Sequence, residues 1–142
     1  HTPYGHGRVR DQETDHDLKI WTKASIENKG RIENMEEIMT ELLQNPSCHG
    51  TGKLLASYCQ IDFNKALIKA KRWQEKSPWK YGPFVWDGTN CSRFVRMVIL
   101  AGKPKLKYRL GLGVPATVSP TPLWNVLALD YTVIKTHEYQ RP

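Results

Sequence analysis

Gly88-Thr89-Asn90-Cys91-Ser92-Arg93-Phe94-Val95-Arg96-Met97-Val98-Ile99-Leu100-Ala101-Gly102 decides how the chain reads. From Cys91 to Ala101 apolar residues run almost all round the helical wheel, the pattern of a helix sunk in a core, and Gly102 is a natural stop just past its end. The stretch also sets a thiol in the first turn of that helix. There the unpaired backbone N–H groups and the positive end of the helix dipole favour a thiolate, and the same N–H groups can hold a developing oxyanion. Cys91 shares a face with Phe94, Val95, Val98 and Ile99, which puts it at the floor of a groove. The plain alternative is a small cysteine packed as a hydrophobe.

Working outward, residues 77–90 form an aromatic- and glycine-rich loop whose Trp79, Tyr81, Phe84 and Trp86 either line an acyl or sugar-peptide groove or simply pack. Asp62 is a helix cap, and Phe63, Ala66, Leu67, Ala70 and Trp73 recur at three and four, predicting a helix that ends near Glu75 before Ser77-Pro78. Residues 53–61 are a short apolar run bounded by Gly52 and Asp62, which suits a buried strand. Asn34 followed by Glu37 reads as a capping box for a helix over 35–44, which Asn45-Pro46 stops. Leu18 to Ile26 reads as a strand closed by a turn at Asn28-Lys29-Gly30, and residues 1–17 as an irregular or edge segment. Beyond the helix, a proline-punctuated loop runs from Gly111 to Pro120, then Thr121-Pro122 is the cap and first-turn proline of a short helix to about Leu129, then comes a closing strand over 131–138.

The helix start Asn90-Cys91-Ser92-Arg93-Phe94-Val95 resembles the nucleophile helix of papain-like cysteine enzymes. It is similar to the Asp-Cys-Ser-Gly-Phe-Val pattern of NlpC-type cell-wall peptidases and to the Asn-Cys-Glu-His-Phe-Val pattern of the circularly permuted lecithin:retinol acyltransferase relatives. Cys91, Phe94 and Val95 match both patterns, Asn90 the second and Ser92 the first, while Arg93 matches neither. A longer stretch, from Thr2-Pro3 and Gly5-His6-Gly7-Arg8 through His49-Gly50 to the cysteine helix, resembles an uncharacterised bacterial family of permuted papain-like proteins. The resemblance implies an α+β fold with an antiparallel sheet, containing 53–61 and 131–138, packed on a buried nucleophile helix. It implies one permuted domain over 1–142, the C-terminal portion of the fold, and a general-base histidine N-terminal to Cys91. His1, His6, His16, His49 and His137 are the histidines in view. His49 precedes a strand and matches a position of the resembling family, so the catalytic pair is Cys91 with His49; His6, between two glycines, comes next, and a base upstream of His1 is the other expectation.

Composition narrows the function. With 142 residues and 39% hydrophobic content, including five tryptophans, the chain can bury a core, and no apolar run is long enough to span a bilayer. It opens on His1 with neither an initiator methionine nor a signal-type segment, so the expectation is a chain that is processed, trimmed or incomplete. The net charge of +7 favours an anionic partner such as a cell-wall polymer, although the basic runs at 65–80 and 103–109 read mainly as solvated faces. Cys48, Cys59 and Cys91 leave at least one thiol free within the chain, a Cys48–Cys59 bridge is one arrangement, and no Cys-x-x-Cys pair gives metal or redox spacing. No cofactor or metal is implied. The reading is a thiol hydrolase or acyltransferase that acts on a peptide, cell-wall or lipid acyl substrate through an acyl-enzyme. The alternative is a non-catalytic binding domain of the same fold for an anionic ligand. A dedicated nucleic-acid binder is disfavoured, since charge is its sole signal.

Overall fold

The computed structural model describes residues 4–46, 52–113 and 119–137. Among them the fold is α+β, with five α-helices and two two-stranded sheets. In chain order these are β1 (His6–Gly7), a 3-10 turn (His16–Leu18), α1 (Met35–Gln44), β2 (Gly52–Tyr58), α2 (Phe63–Glu75), β3 (Trp79–Lys80), α3 (Cys91–Ala101), α4 (Leu106–Gly113), α5 (Pro122–Leu127) and β4 (Tyr131–His137). β1 pairs antiparallel with β3, and β2 pairs with β4, as the sequence predicts for the latter two. Two compact units result: His1–Val9 with Ser57–Thr132, and Arg10–Ala56 with Val133–Pro142. Among the described residues no helix is long and apolar enough to cross a membrane.

In the second unit, α1 buries Met35 and Met39 and occupies the predicted span. The segment before it is not the predicted strand. Its backbone N–H groups are taken by side chains of the helix region: Trp21 and Thr22 donate to the two Glu41 carboxylate oxygens at 2.6 and 2.7 Å, and Ser25 donates to Asn34 Oδ1 at 2.8 Å. With those donors satisfied, the segment has no need of a strand ladder, and its one bridge is Ile26 with Ile32 around the Gly30 turn. The Thr22 hydroxyl and these amides hold the Glu41 carboxyl below the usual range. The capping box is likewise replaced. Asn34 sits at the N-cap without a side-chain cap bond; its Nδ2 donates to Lys23 O at 2.9 Å and to Glu37 at 3.3 Å.

In the first unit, Asp62 caps α2 as expected, accepting from Lys65 N at 3.1 Å. The principal packing partners of α3 are helices, α2 foremost and then α5 and α4, where the papain-like resemblance implies a sheet. Trp73 of α2 meets Phe94 of α3 at 6.2 Å between ring centroids and stacks on Trp79 at 4.4 Å. The three helices do not enclose α3 all round: Val95 stays 44% exposed and most of the apolar belt is half-buried. Gly102 is needed for a different reason from the one its position suggests. Its φ is −71°, and a Cβ there would stand 2.8 Å from that of Ile61, while the left-handed residue is Lys103 at φ 50°. The expected loop from Gly111 begins inside the last turn of α4; Tyr108 and Leu112 of this helix are buried, and Tyr108 Oη donates to Asp130, which also receives Lys107 Nζ at 2.7 Å.

Candidate active site

Cys91 is the first residue of α3 and is exposed. Asn90 precedes it in an extended conformation, φ −146° and ψ 174°, and its Oδ1 accepts from Arg93 N at 2.9 Å. This N-cap fixes the first turn and holds the neighbouring backbone N–H groups in place. The hydrogen-bond partner of the thiol is the Tyr81 hydroxyl, 3.1 Å from the sulphur. Either atom can donate in that contact; with the sulphur ionised, the phenol donates.

The Tyr81 ring is brought there by the backbone. Tyr81 N donates to Gly5 O at 2.9 Å, which continues the β1–β3 pairing, and the loop then returns on itself through Thr89 N to Lys80 O at 2.8 Å and Gly82 N to Thr89 O at 3.0 Å. Two glycines permit the approach. A Cβ on Gly88 would lie 2.2 Å from Lys80 O, and one on Gly7 would lie 2.7 Å from Tyr81 Cδ2, so the ring rests on the bare backbone of β1. The bond to Cys91, then partial burial, then the charge of an ionised sulphur raise the Tyr81 pKa. The phenol therefore keeps its proton at neutral pH and remains a donor.

The residues that flank Cys91 are tied as well. Asn90 Nδ2 donates to Ser119 Oγ at 2.9 Å, and the buried Asn125 Nδ2 donates to Ser92 O at 2.8 Å. Of the four loop aromatics, Trp79 is half-buried, stacked on Trp73 and donating to its carbonyl at 2.8 Å. Tyr81 is 47% exposed beside the thiol, and Phe84 and Trp86 are each 85% exposed.

His49, its neighbour Cys48 and His1 lie outside the described residues. His6 stands in β1 opposite Lys80, with Nδ1 at 3.1 Å from Tyr4 O; strand alternation places its side chain on the other face from Gly7, away from the face that carries the Tyr81 ring. His16 belongs to the 3-10 turn and His137 ends β4. The sequence reading missed Tyr81 as the partner of the thiol, Asn90 as its cap, and Arg93 and Ser119 beneath it. Only Asn90 had a local signal, as a good capping residue directly before the helix.

An exposed thiol at a capped helix start, with a protonated phenol in hydrogen-bond reach, defines a candidate thiol-nucleophile site on an α+β scaffold. Residues 1–108, which run from before β1 into α4 and include both Tyr81 and Cys91, match the family described as type VI secretion system effector TseH-like, and the chain belongs to that family. No curated protein and no solved structure matches the chain.

Proposed function

We propose that this chain is a bacterial effector, of the kind its family description names, that acts as a papain-like cysteine amidase of permuted order on cell-wall peptide. The observation that carries the reading is the exposed Cys91 at the Asn90-capped start of α3 with Tyr81 Oη at 3.1 Å. Family membership across that stretch and the resemblance of the Asn90–Val95 motif to NlpC-type nucleophile helices support it. The excess of basic residues suits an anionic cell-wall polymer.

In this mechanism the Cys91 sulphur attacks the amide carbonyl carbon, and the carbonyl oxygen takes the electron pair. The N–H groups of the first turn of α3 stabilise that oxyanion. His49 is assigned as the base that receives the thiol proton and returns it to the leaving amine as the C–N bond breaks. Water then resolves the thioester; transfer to another nucleophile would make the protein an acyltransferase. The test is digestion of purified sacculi followed by mass spectrometry of released muropeptides. The wild-type chain releases cleaved peptides, and Cys91→Ala and His49→Ala release none while keeping the wild-type circular dichroism spectrum. If wild-type protein leaves sacculi intact yet sediments with them, the binding-domain reading replaces this one.

A further inference from the structure

Arg93 is the motif position that matches neither resembling pattern, and its surroundings are unlike those of a surface arginine. Its relative exposure is 8%, and among the described residues every acceptor it reaches is neutral. Nη1 donates to the carbonyls of Val85 and Gly88, both at 2.6 Å; Nη2 donates to Pro83 O at 3.3 Å and to Ser119 Oγ at 2.9 Å. Taking a guanidinium out of water costs several kcal/mol unless its donors are met. Here Nη1 and Nη2 together meet three carbonyls of one loop, which a single ammonium does not reproduce, while the buried Nε finds no partner among the described residues.

The bonds close into a ring at the start of α3. Ser119 Oγ donates to Pro83 O at 2.8 Å while it receives Arg93 Nη2 and Asn90 Nδ2. Asn90 in turn caps Arg93 N. Cys91 thus sits between a residue bound to this ring and the first turn of the helix that carries it. The 82–88 loop is pinned from below by its carbonyls, and its two ends are the residues that hold Tyr81 and Asn90 in register through Gly82, Lys80 and Thr89.

From this geometry we infer that Arg93 is a positioning residue for the thiol site: its fork holds the 83–88 loop so that Tyr81 stays on Cys91 and the aromatic tips Phe84 and Trp86 are presented at a fixed place beside it. The inference rests on the proposed amidase reading only for its kinetic consequence. Its structural content concerns the loop alone.

The experiment compares the full chain with Arg93→Lys, which keeps the charge and discards the fork. Amide hydrogen exchange should accelerate about tenfold or more at Gly82 and Thr89 and stay unchanged along α2, because one or two charge-assisted bonds to the loop are lost. Iodoacetamide labelling of Cys91 should change by roughly threefold or more, with that of Cys59 constant. On sacculi, kcat should fall about tenfold with KM within about twofold, as for an effect on the chemical step. Wild-type exchange at Gly82 and Thr89 together with a wild-type Cys91 labelling rate in Arg93→Lys would overturn the inference, and so would acceleration that spreads equally over α2, which marks mere destabilisation. If Arg93→Lys does not fold, Ser119→Ala breaks the same ring at its hydroxyl and must show the same loop-restricted exchange; its absence overturns the inference. A wild-type chain without activity whose variant still shows the loop-restricted exchange refutes the amidase reading and leaves the positioning role standing.

Discussion

Replacing Gly7 by alanine tests the thiol site from the far end of the chain. The backbone of Gly7 is not among the positive-φ glycines, so alanine fits its conformation and the effect is steric. The new Cβ would stand 2.7 Å from Tyr81 Cδ2 and 3.4 Å from Cε2 and Cγ. Carbon atoms rest at about 3.5 to 4.0 Å, so the ring must retreat by about 1 Å. A shift of that size is large against the 3.1 Å contact of Tyr81 Oη with the Cys91 sulphur, and the expected outcome is loss of that bond. The lost bond costs about 1 kcal/mol of stability. The more telling readout is the titration of Tyr81, followed by NMR with carbon-labelled tyrosine. In the wild type the bond to Cys91 and the sulphur's charge hold the phenol above its ordinary value; in Gly7→Ala it returns toward about 10, the ordinary tyrosine value. Gly82→Ala is the control, since its Cβ would meet only Val85 Cγ2, a side-chain methyl, at 3.0 Å. An unchanged Tyr81 titration in folded Gly7→Ala would refute the claim that β1 sets the phenol on the thiol.

Three further expectations concern other parts of the molecule. Burial, with the Asp130 carboxylate adding to it, pushes the half-buried Cys59 thiol up, so at neutral pH Cys59 should label about tenfold more slowly than exposed Cys91; equal rates by peptide mass spectrometry would contradict this. Lys107 and the Tyr108 hydroxyl hold Asp130 below the usual carboxylate range. Its contribution is therefore fully present above the unfolded value of about 3.9 and lost as pH falls through the lower folded value. Melting curves from pH 5 to pH 2 should accordingly fall more steeply for wild type than for Asp130→Asn, and parallel curves would count against the interaction. Asn34→Ala should cost about 1 to 2 kcal/mol through loss of its bonds to Ser25 and Lys23. Asn34→Ser separates this from capping, because serine caps well but does not span both backbone groups; recovery of the wild-type midpoint by serine would restore the capping explanation.

The parts of the fold that were legible in the sequence are those whose determinants are local. Helices α1, α2 and α3 begin and end where a cap, an X-Pro pair or a glycine stands next to a periodic apolar run. The parts misread depend on partners distant in sequence. Residues 18–26 have strand-like composition, but Glu41 and Asn34 take their amides. The last turn of α4 carries Gly111 and Gly113, poor helix formers, yet Leu112 is fully buried and Tyr108 is anchored to Asp130. The thiol was legible because a cysteine at a helix start has a local signature. Tyr81 was not, because what joins it to Cys91 is a loop return through Thr89 and Lys80 that no local pattern announces.

The same contrast explains why the motif's one mismatched position carries so much of the site. In the Asp-Cys-Ser-Gly-Phe-Val pattern the position of Arg93 is glycine, which has no side chain to donate, so whatever holds the preceding loop in such chains is not that residue. Here the loop between Tyr81 and Cys91 bears two exposed aromatic rings, Phe84 and Trp86, and gains no burial of its own from them. A segment so poor in buried contacts opens readily unless its polar backbone is bound. The carbonyls of Pro83, Val85 and Gly88 are the groups that a helix-borne guanidinium can reach, and Gly88 is the residue that lets the loop close tightly enough for them to converge. Arginine at position 93 and glycine at position 88 are thus two halves of one requirement. Removing either frees the loop, and with it the phenol that the loop holds against the thiol.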